Sequence, residues 1–210
     1  MKKKQRLIPV DLDPLPPLDE RLTKVAAMAD EEADAFIERH THDPVPGFVP
    51  CDFALTARAL TAIKRHSLST GLELCEWGSG IGGVTIAASI LGFDAVGIEI
   101  NPDLVDTSRA LADRCLASNA RFVCGSFVPD GADTHIDSVD EIVWLVSGGA
   151  DAHEELGMGI DDFDVIFAYP WPGEEAVLIN LFERYSAAGA MLVTYNGVEG
   201  MKAYRKASGR

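Results

Sequence analysis

The pattern of apolar and polar positions divides the chain into helical and strand-like stretches that alternate. Leu18, Leu22, Val25, Ala29, Ala33 and Phe36/Ile37 recur every three or four residues with charges between them, the stripe of an amphipathic helix ending near His40. Residues 9–17, before it, hold four prolines and form an extended arm. Residues 41–50, after it, carry three prolines and a glycine and form a loop. Asp52 then stands near the start of a second helix, with Leu55, Ala59/Leu60 and Ile63 as its buried side. From residue 72 strands appear: a run ending at Glu76, Ala95–Ile100, the short Arg121–Cys124, Phe163–Ala168 and Ala190–Tyr195. Between them Val84–Leu91 and Glu174–Tyr185 read as helices, as does a segment striped by Leu104, Ser108, Leu111 and Cys115. Asn101-Pro102 opens that striped helix with a capping side chain and a proline at the first helical position. Residues 128–162 exceed an ordinary connection, and their apolar run Glu141–Val146 has no assigned place.

Strands alternating with helices indicate an α/β domain. The length of 210 residues, with 47% hydrophobic and 24% charged residues, suits one such domain. We divide the chain into an arm and helix over 1–47 and a main domain over 48–210. No apolar run approaches the ~18 residues of a membrane span, so no membrane partner is expected. The basic start Lys2–Arg6 is followed by prolines and aspartates that spoil an export signal, and the four cysteines show no C-x-x-C. A cytoplasmic protein with reduced thiols is expected. The net charge is −15, and the 62 residues from Phe122 to Glu183 contain fourteen Asp and Glu but no Lys or Arg. Such a field repels phosphate backbones and favours cationic partners, so nucleic acid is not an expected partner.

The candidate chemistry centres on residues 72–83, where the first strand ends in Glu76 and turns through Gly78, Ser79, Gly80, Gly82 and Gly83. Glycines there permit positive φ and close approach of a ligand to the backbone. Gly78, Gly80 and Gly83 satisfy the dinucleotide pattern G-x-G-x-x-G, with Glu99 at about the expected distance. Glu76, two residues ahead of the first glycine, argues against a pyrophosphate, since a carboxylate repels phosphate. It suits a ligand carrying an ammonium and a sulfonium, as S-adenosyl-L-methionine does. The stretch Glu76-Trp77-Gly78-Ser79-Gly80-Ile81-Gly82 resembles the first motif of the class I methyltransferases, acidic-x-Gly-x-Gly-x-Gly.

That resemblance implies a Rossmann-like three-layer α/β/α sandwich with a mostly parallel sheet of order 3-2-1-4-5. Fifteen residues after Tyr195 cannot hold both extra strands of the family's seven, so a shortened sheet is expected. It also implies that Glu76, Gly78, Ser79, Gly80 and Gly82 hold the methionine part of the cofactor and that Glu99, in the second motif, holds the ribose. Gly125-Ser126-Phe127 stands where the family commonly has an acid for the adenine amino group; Ser126 and Phe127 are the candidates left for the base. Tyr169-Pro170-Trp171-Pro172, at the end of the fourth strand, departs from the Asn/Asp-Pro-Pro-aromatic motif of amino-methylating enzymes. Tyr169 and Trp171 are the candidate acceptor-site residues, an aromatic pair able to cradle a cationic amine. Phe48-Val49-Pro50 resembles the proline-marked approach to the first motif in some lysine-directed methyltransferases. His40 and His42 have no companion ligands, and no metal is expected. The expected activity is methyl transfer to a protein lysine or small amine. A nicotinamide-dependent oxidoreductase and a non-catalytic cofactor-binding scaffold are the alternatives.

Overall fold

A computed structural model describes residues 7–129 and 150–208. Among the described residues seven strands form one sheet: β1 (Leu7–Pro9), β2 (Glu73–Trp77), β3 (Asp94–Glu99), β4 (Arg121–Cys124), β5 (Val165–Ala168), β6 (Met191–Tyr195) and β7 (Met201–Lys206). Their order is β1-β7-β6-β5-β2-β3-β4. The five strands read from the sequence lie in the expected parallel order, β4-β3-β2-β5-β6. The expectation of a shortened sheet is corrected. Residues after Tyr195 supply one antiparallel strand, β7, and the proline-rich arm supplies the other, with Leu7 opposite Lys206 and Pro9 opposite Tyr204. Proline is tolerated there because β1 is an edge strand.

The helices are α1 (Glu20–Arg39), α2 (Phe53–Arg65), α3 (Gly83–Ile90), α4 (Pro102–Arg114), α5 (Ala152–Leu156) and α6 (Glu175–Tyr185). Side chains just outside four of them, Asp19, Asp52, Asn101 and Asp151, satisfy N–H groups that the helix leaves unpaired. Asp19 accepts from Leu22 N at 2.8 Å, Asp52 from Leu55 N at 2.8 Å, and Asn101 from Asp103 N at 2.9 Å.

Strand side chains alternate between two faces, and each face has its own apolar layer. Leu74, Ala95, Phe122, Val165, Phe167 and Val193 pack against α1–α4, where Val25, Ala29 and Phe36 of α1 join Leu60, Val84 and Leu111. Cys75, Trp77, Val96, Ile98, Ile166 and Leu192 face the other way, onto Phe163, Leu178, Leu181 and Phe182. The sheet is therefore covered on both sides, as parallel strands require. Part of the long connection is placed: Ser126 bridges to Asp151, α5 follows, and a 3-10 turn spans Ile160–Asp162. The apolar run 141–146 lies outside the described residues.

Candidate active site

The chain leaves β2 for β3 on one side and reaches β5 on the other, so the C-terminal end of β2 is the topological switch point at which open α/β sheets bind ligands. A cavity of about 390 Å³ lies there, walled by the ends of β2, β3, β4 and β5 and roofed by residues 46–51. It gathers Glu76, Gly78, Ser79, Gly80, Glu99, Ser126, Phe127, Tyr169 and Trp171, nine of the ten residues singled out from the sequence.

The tenth, Gly82, does not line it. Gly82 is the N-cap of α3 at φ 78°, and a Cβ there would stand 2.5 Å from Phe122 and 2.8 Å from Ser108 Cβ. Its role is to seat α3 against β4 and α4. Lacking a side chain, Gly82 cannot cap the helix, and Glu76 does so from the neighbouring strand: its Oε2 accepts from Thr85 N at 2.9 Å and from Thr85 Oγ1 at 2.5 Å. Glu76 Oε1 has no hydrogen-bond partner among the described residues. Burial pushes the Glu76 carboxyl up to about 8, the two Thr85 donors pull it back, and Glu99 raises it further. Gly78 and Gly80 differ from Gly82. Both have positive φ and line the cavity; a Cβ on Gly78 would meet nothing, and one on Gly80 would meet only the Phe48 ring, at 3.0 Å.

Glu99, 8% exposed, holds the turn from the β3 side. Its Oε2 accepts from Gly80 N at 2.8 Å and its Oε1 from Asn101 N at 2.9 Å, which fixes both oxygens in the cavity wall. At the end of β4 the Ser126 hydroxyl is engaged in its own turn, accepting from Val128 N at 3.1 Å. Phe127 stacks parallel on Trp77, centroids 5.1 Å apart, so that end of the cavity is bounded by an aromatic slab.

Past β5, Tyr169 meets Tyr195 edge-on at 4.8 Å, and Trp171 Nε1 donates to Gly47 O at 3.4 Å, tying the turn to the roof. The roof itself is anchored by Phe48, whose ring meets Phe36 of α1 edge-on at 5.2 Å. Sequence reasoning found this loop but gave it no place in the site; its proline spacing was the available signal. It placed Glu174 just beyond the aromatic turn at the start of a helix without a role of its own; the residue is 6% exposed and lines the cavity. Thr85 had no signal beyond its nearness to the glycines.

No family model and no curated protein matches the sequence. Solved structures do. A methyltransferase from Geobacter sulfurreducens is 14% identical over 92% of this chain and 99% of its own, with a TM-score of 0.54. The O-methyltransferase from Bacillus cereus, crystallised in complex with S-adenosylhomocysteine (SAH), is 16% identical over 87% of this chain and 68% of its own, with a TM-score of 0.50. The chain has the class I methyltransferase fold. Four further matches are longer proteins, of which this chain spans 40–65%. At such identities the likeness concerns the methyltransferase fold alone, and the chemistry of this chain is argued from its own cavity.

Proposed function

We propose that the protein is an S-adenosylmethionine-dependent methyltransferase whose acceptor is an amine outside nucleic acids. The observation that carries the cofactor assignment is the pair of buried carboxylates, Glu76 and Glu99, on either side of the glycine turn in a cavity lined by no Lys, Arg or His among the described residues. Such a wall favours a ligand with positive charge and hydroxyl donors and opposes a pyrophosphate. When bound, the cofactor supplies an electrophilic methyl group on a sulfonium. The protein's part is alignment and exclusion of water. Glu76 Oε1 receives the ammonium, Gly78 and Gly80 give the ligand access to the backbone, and Glu99 accepts from the ribose hydroxyls. Phe127 and Ser126 bound the base. Tyr169 and Trp171 border the acceptor nitrogen, while the roof over residues 46–51 covers the site. The stretch of 62 residues without Lys or Arg supports an acceptor other than DNA or RNA.

Calorimetric titration tests the cofactor assignment: SAH and S-adenosylmethionine bind and NAD does not, whereas tight NAD binding with no response to either sulfur compound would sink it. The same titration carries a pH signature. Glu76 is protonated below about 8 in the ligand-free protein, and an ammonium against it favours the carboxylate. Affinity therefore rises from pH 6 towards 8, with a proton released on binding at pH 7. The ligand-free fold behaves oppositely. An unfolded Glu76 loses its proton near the usual value of ~4.3, so stability declines as pH rises from there towards 8, and Glu76→Gln removes that decline.

Trp171→Ala separates acceptor site from core. Trp171 is only partly buried, so cofactor affinity stays within about threefold, below the ~1.4 kcal/mol of a tenfold change, while transfer is lost. A core tryptophan would instead cost ~3–5 kcal/mol of stability and take cofactor binding with it. Melting and SAH titration on this one variant distinguish the two.

A further inference from the structure

We propose that Phe48, in the roof, is a cofactor-selecting residue: its ring recognises the positive charge of the sulfonium, so that the cavity holds S-adenosylmethionine more firmly, relative to SAH, than its carboxylates alone would. This rests on the methyltransferase reading of the same cavity and adds a residue to which the sequence resemblance gives no such role.

The first observation is the order of groups along the ligand. In S-adenosylmethionine the sulfonium lies between the amino-acid end and the ribose. Glu76 and Glu99, the groups that would receive those two ends, flank the glycine turn, and Glu99 Oε2 accepts from Gly80 N. The place of the sulfonium is therefore over the turn, between the two carboxylates. The second observation is what stands on the turn there. A Cβ on Gly80 would meet Phe48 Cε2 at 3.0 Å and Phe48 Cδ2 at 3.4 Å, and no other atom of the described residues within 4 Å. Only that edge of the ring comes so near, so the ring stands on its edge on Gly80 and its faces lie alongside the turn. A Cβ on Gly78 would meet nothing within 4 Å. A ligand laid along the turn from the open space at Gly78 thus comes up against Phe48.

The third observation is that the ring is held before any ligand arrives. Phe48 is half-buried and meets Phe36 edge-on at 5.2 Å; Phe36 is 1% exposed and is itself stacked on His40 at 4.1 Å. Fixing a contact group in advance lowers the cost of binding. The other rings of the wall serve different ends of it: Phe127 and Trp77 stack on each other at the base end, Tyr169 packs on Tyr195 at the acceptor end, and Phe53 lies against Gly83. No Lys, Arg or His among the described residues lines the cavity to oppose a cation. A cation held against an aromatic face out of water is attracted by the ring quadrupole. SAH is a neutral thioether, so the ring's contribution disappears once the methyl group has left, and the product is released more readily than the cofactor.

The test is calorimetric titration of S-adenosylmethionine and of SAH, at one pH, into wild type, Phe48→Leu, Phe48→Tyr and a protein with a ring-trifluorinated phenylalanine in place of Phe48. The two ligands share every group except the methyl and its charge, so the ratio of their affinities cancels the contributions of the shared ammonium and ribose. Leucine keeps an apolar cover but has no π face, and the fluorinated ring keeps its shape while its face loses electron density. S-Adenosylmethionine affinity falls about tenfold relative to SAH in both of these proteins, while SAH stays within about threefold of wild type. Phe48→Tyr, which retains the face, retains the wild-type ratio. An unchanged ratio in the fluorinated protein, or equal loss of both ligands, overturns the proposal and leaves Phe48 as a cover alone. The fluorinated protein decides the matter even where Phe48→Leu shows no cooperative melting. Failure of wild type to bind either ligand would instead overturn the methyltransferase reading beneath it.

Discussion

Gly82→Ala lowers the melting temperature by on the order of 10 °C, the largest stability effect expected of any single methyl group added to the glycine turn. Two costs add. At φ 78° a side chain enters the left-handed region, at about 1–2 kcal/mol. The new Cβ also falls 2.5 Å from Phe122 and 2.8 Å from Ser108 Cβ, both on buried residues that cannot swing away, and overpacking of that kind costs roughly 1–3 kcal/mol. Gly78→Ala provides the contrast. Its φ of 70° carries the same backbone cost, but its Cβ would point into open space in the cavity. Gly78→Ala therefore loses SAH affinity more than it loses stability, and Gly82→Ala does the reverse. Thermal melting and SAH titration on the pair check this. A Gly82→Ala protein that melts like wild type would show that α3 can shift away from β4 at little cost.

Glu99→Ala weakens SAH by about 1.5–3 kcal/mol, the range for hydrogen bonds to a charged group. The carboxylate is fixed by Gly80 N and Asn101 N before any ligand arrives, so it presents its remaining lone pairs to a diol without being reorganised. Alanine removes those lone pairs and also releases the backbone of the glycine turn from the start of α4. Glu99→Gln separates the two effects, since its amide oxygen can keep one backbone donor while its charge is gone. Calorimetry at fixed pH reads the affinity, and melting of the ligand-free variants reads the turn. SAH affinity unchanged in Glu99→Ala would place the ribose elsewhere.

The centre of the sheet was legible because its strands are apolar on both faces and each is followed by a turn or helix signal. The edges were not. Leu7–Pro9 is three residues long and contains a proline, and Met201–Lys206 alternates charges with small and aromatic residues because most of it is only partly buried. Neither carries the apolar run by which the inner strands declare themselves. At the site, spacing identified the glycines but could not say which faces a ligand and which faces Phe122, since that depends on a strand some forty residues away. Ser126 suffered the same limit from the opposite direction: its hydroxyl is taken by Val128, two residues on, a local turn that the motif comparison did not consider. Glu76 and Glu99 were found because their chemistry contradicted the apolar strands carrying them. Glu174 was noted beside the aromatic pair but given no role, because an acid at a helix start already has an explanation.

The pairing of Leu7 with Lys206 sets an order of events during synthesis. The arm is made before the other strands of the sheet, yet its strand partner is the last of them to be made. Strands β2 to β6 can assemble in sequence as they appear, each beside a neighbour already present. The arm has to wait, unpaired, through all of that, and then bind an antiparallel edge made of the newest chain. Its docking has to follow the synthesis of β7, and a nascent chain stalled before residue 201 would carry the arm undocked.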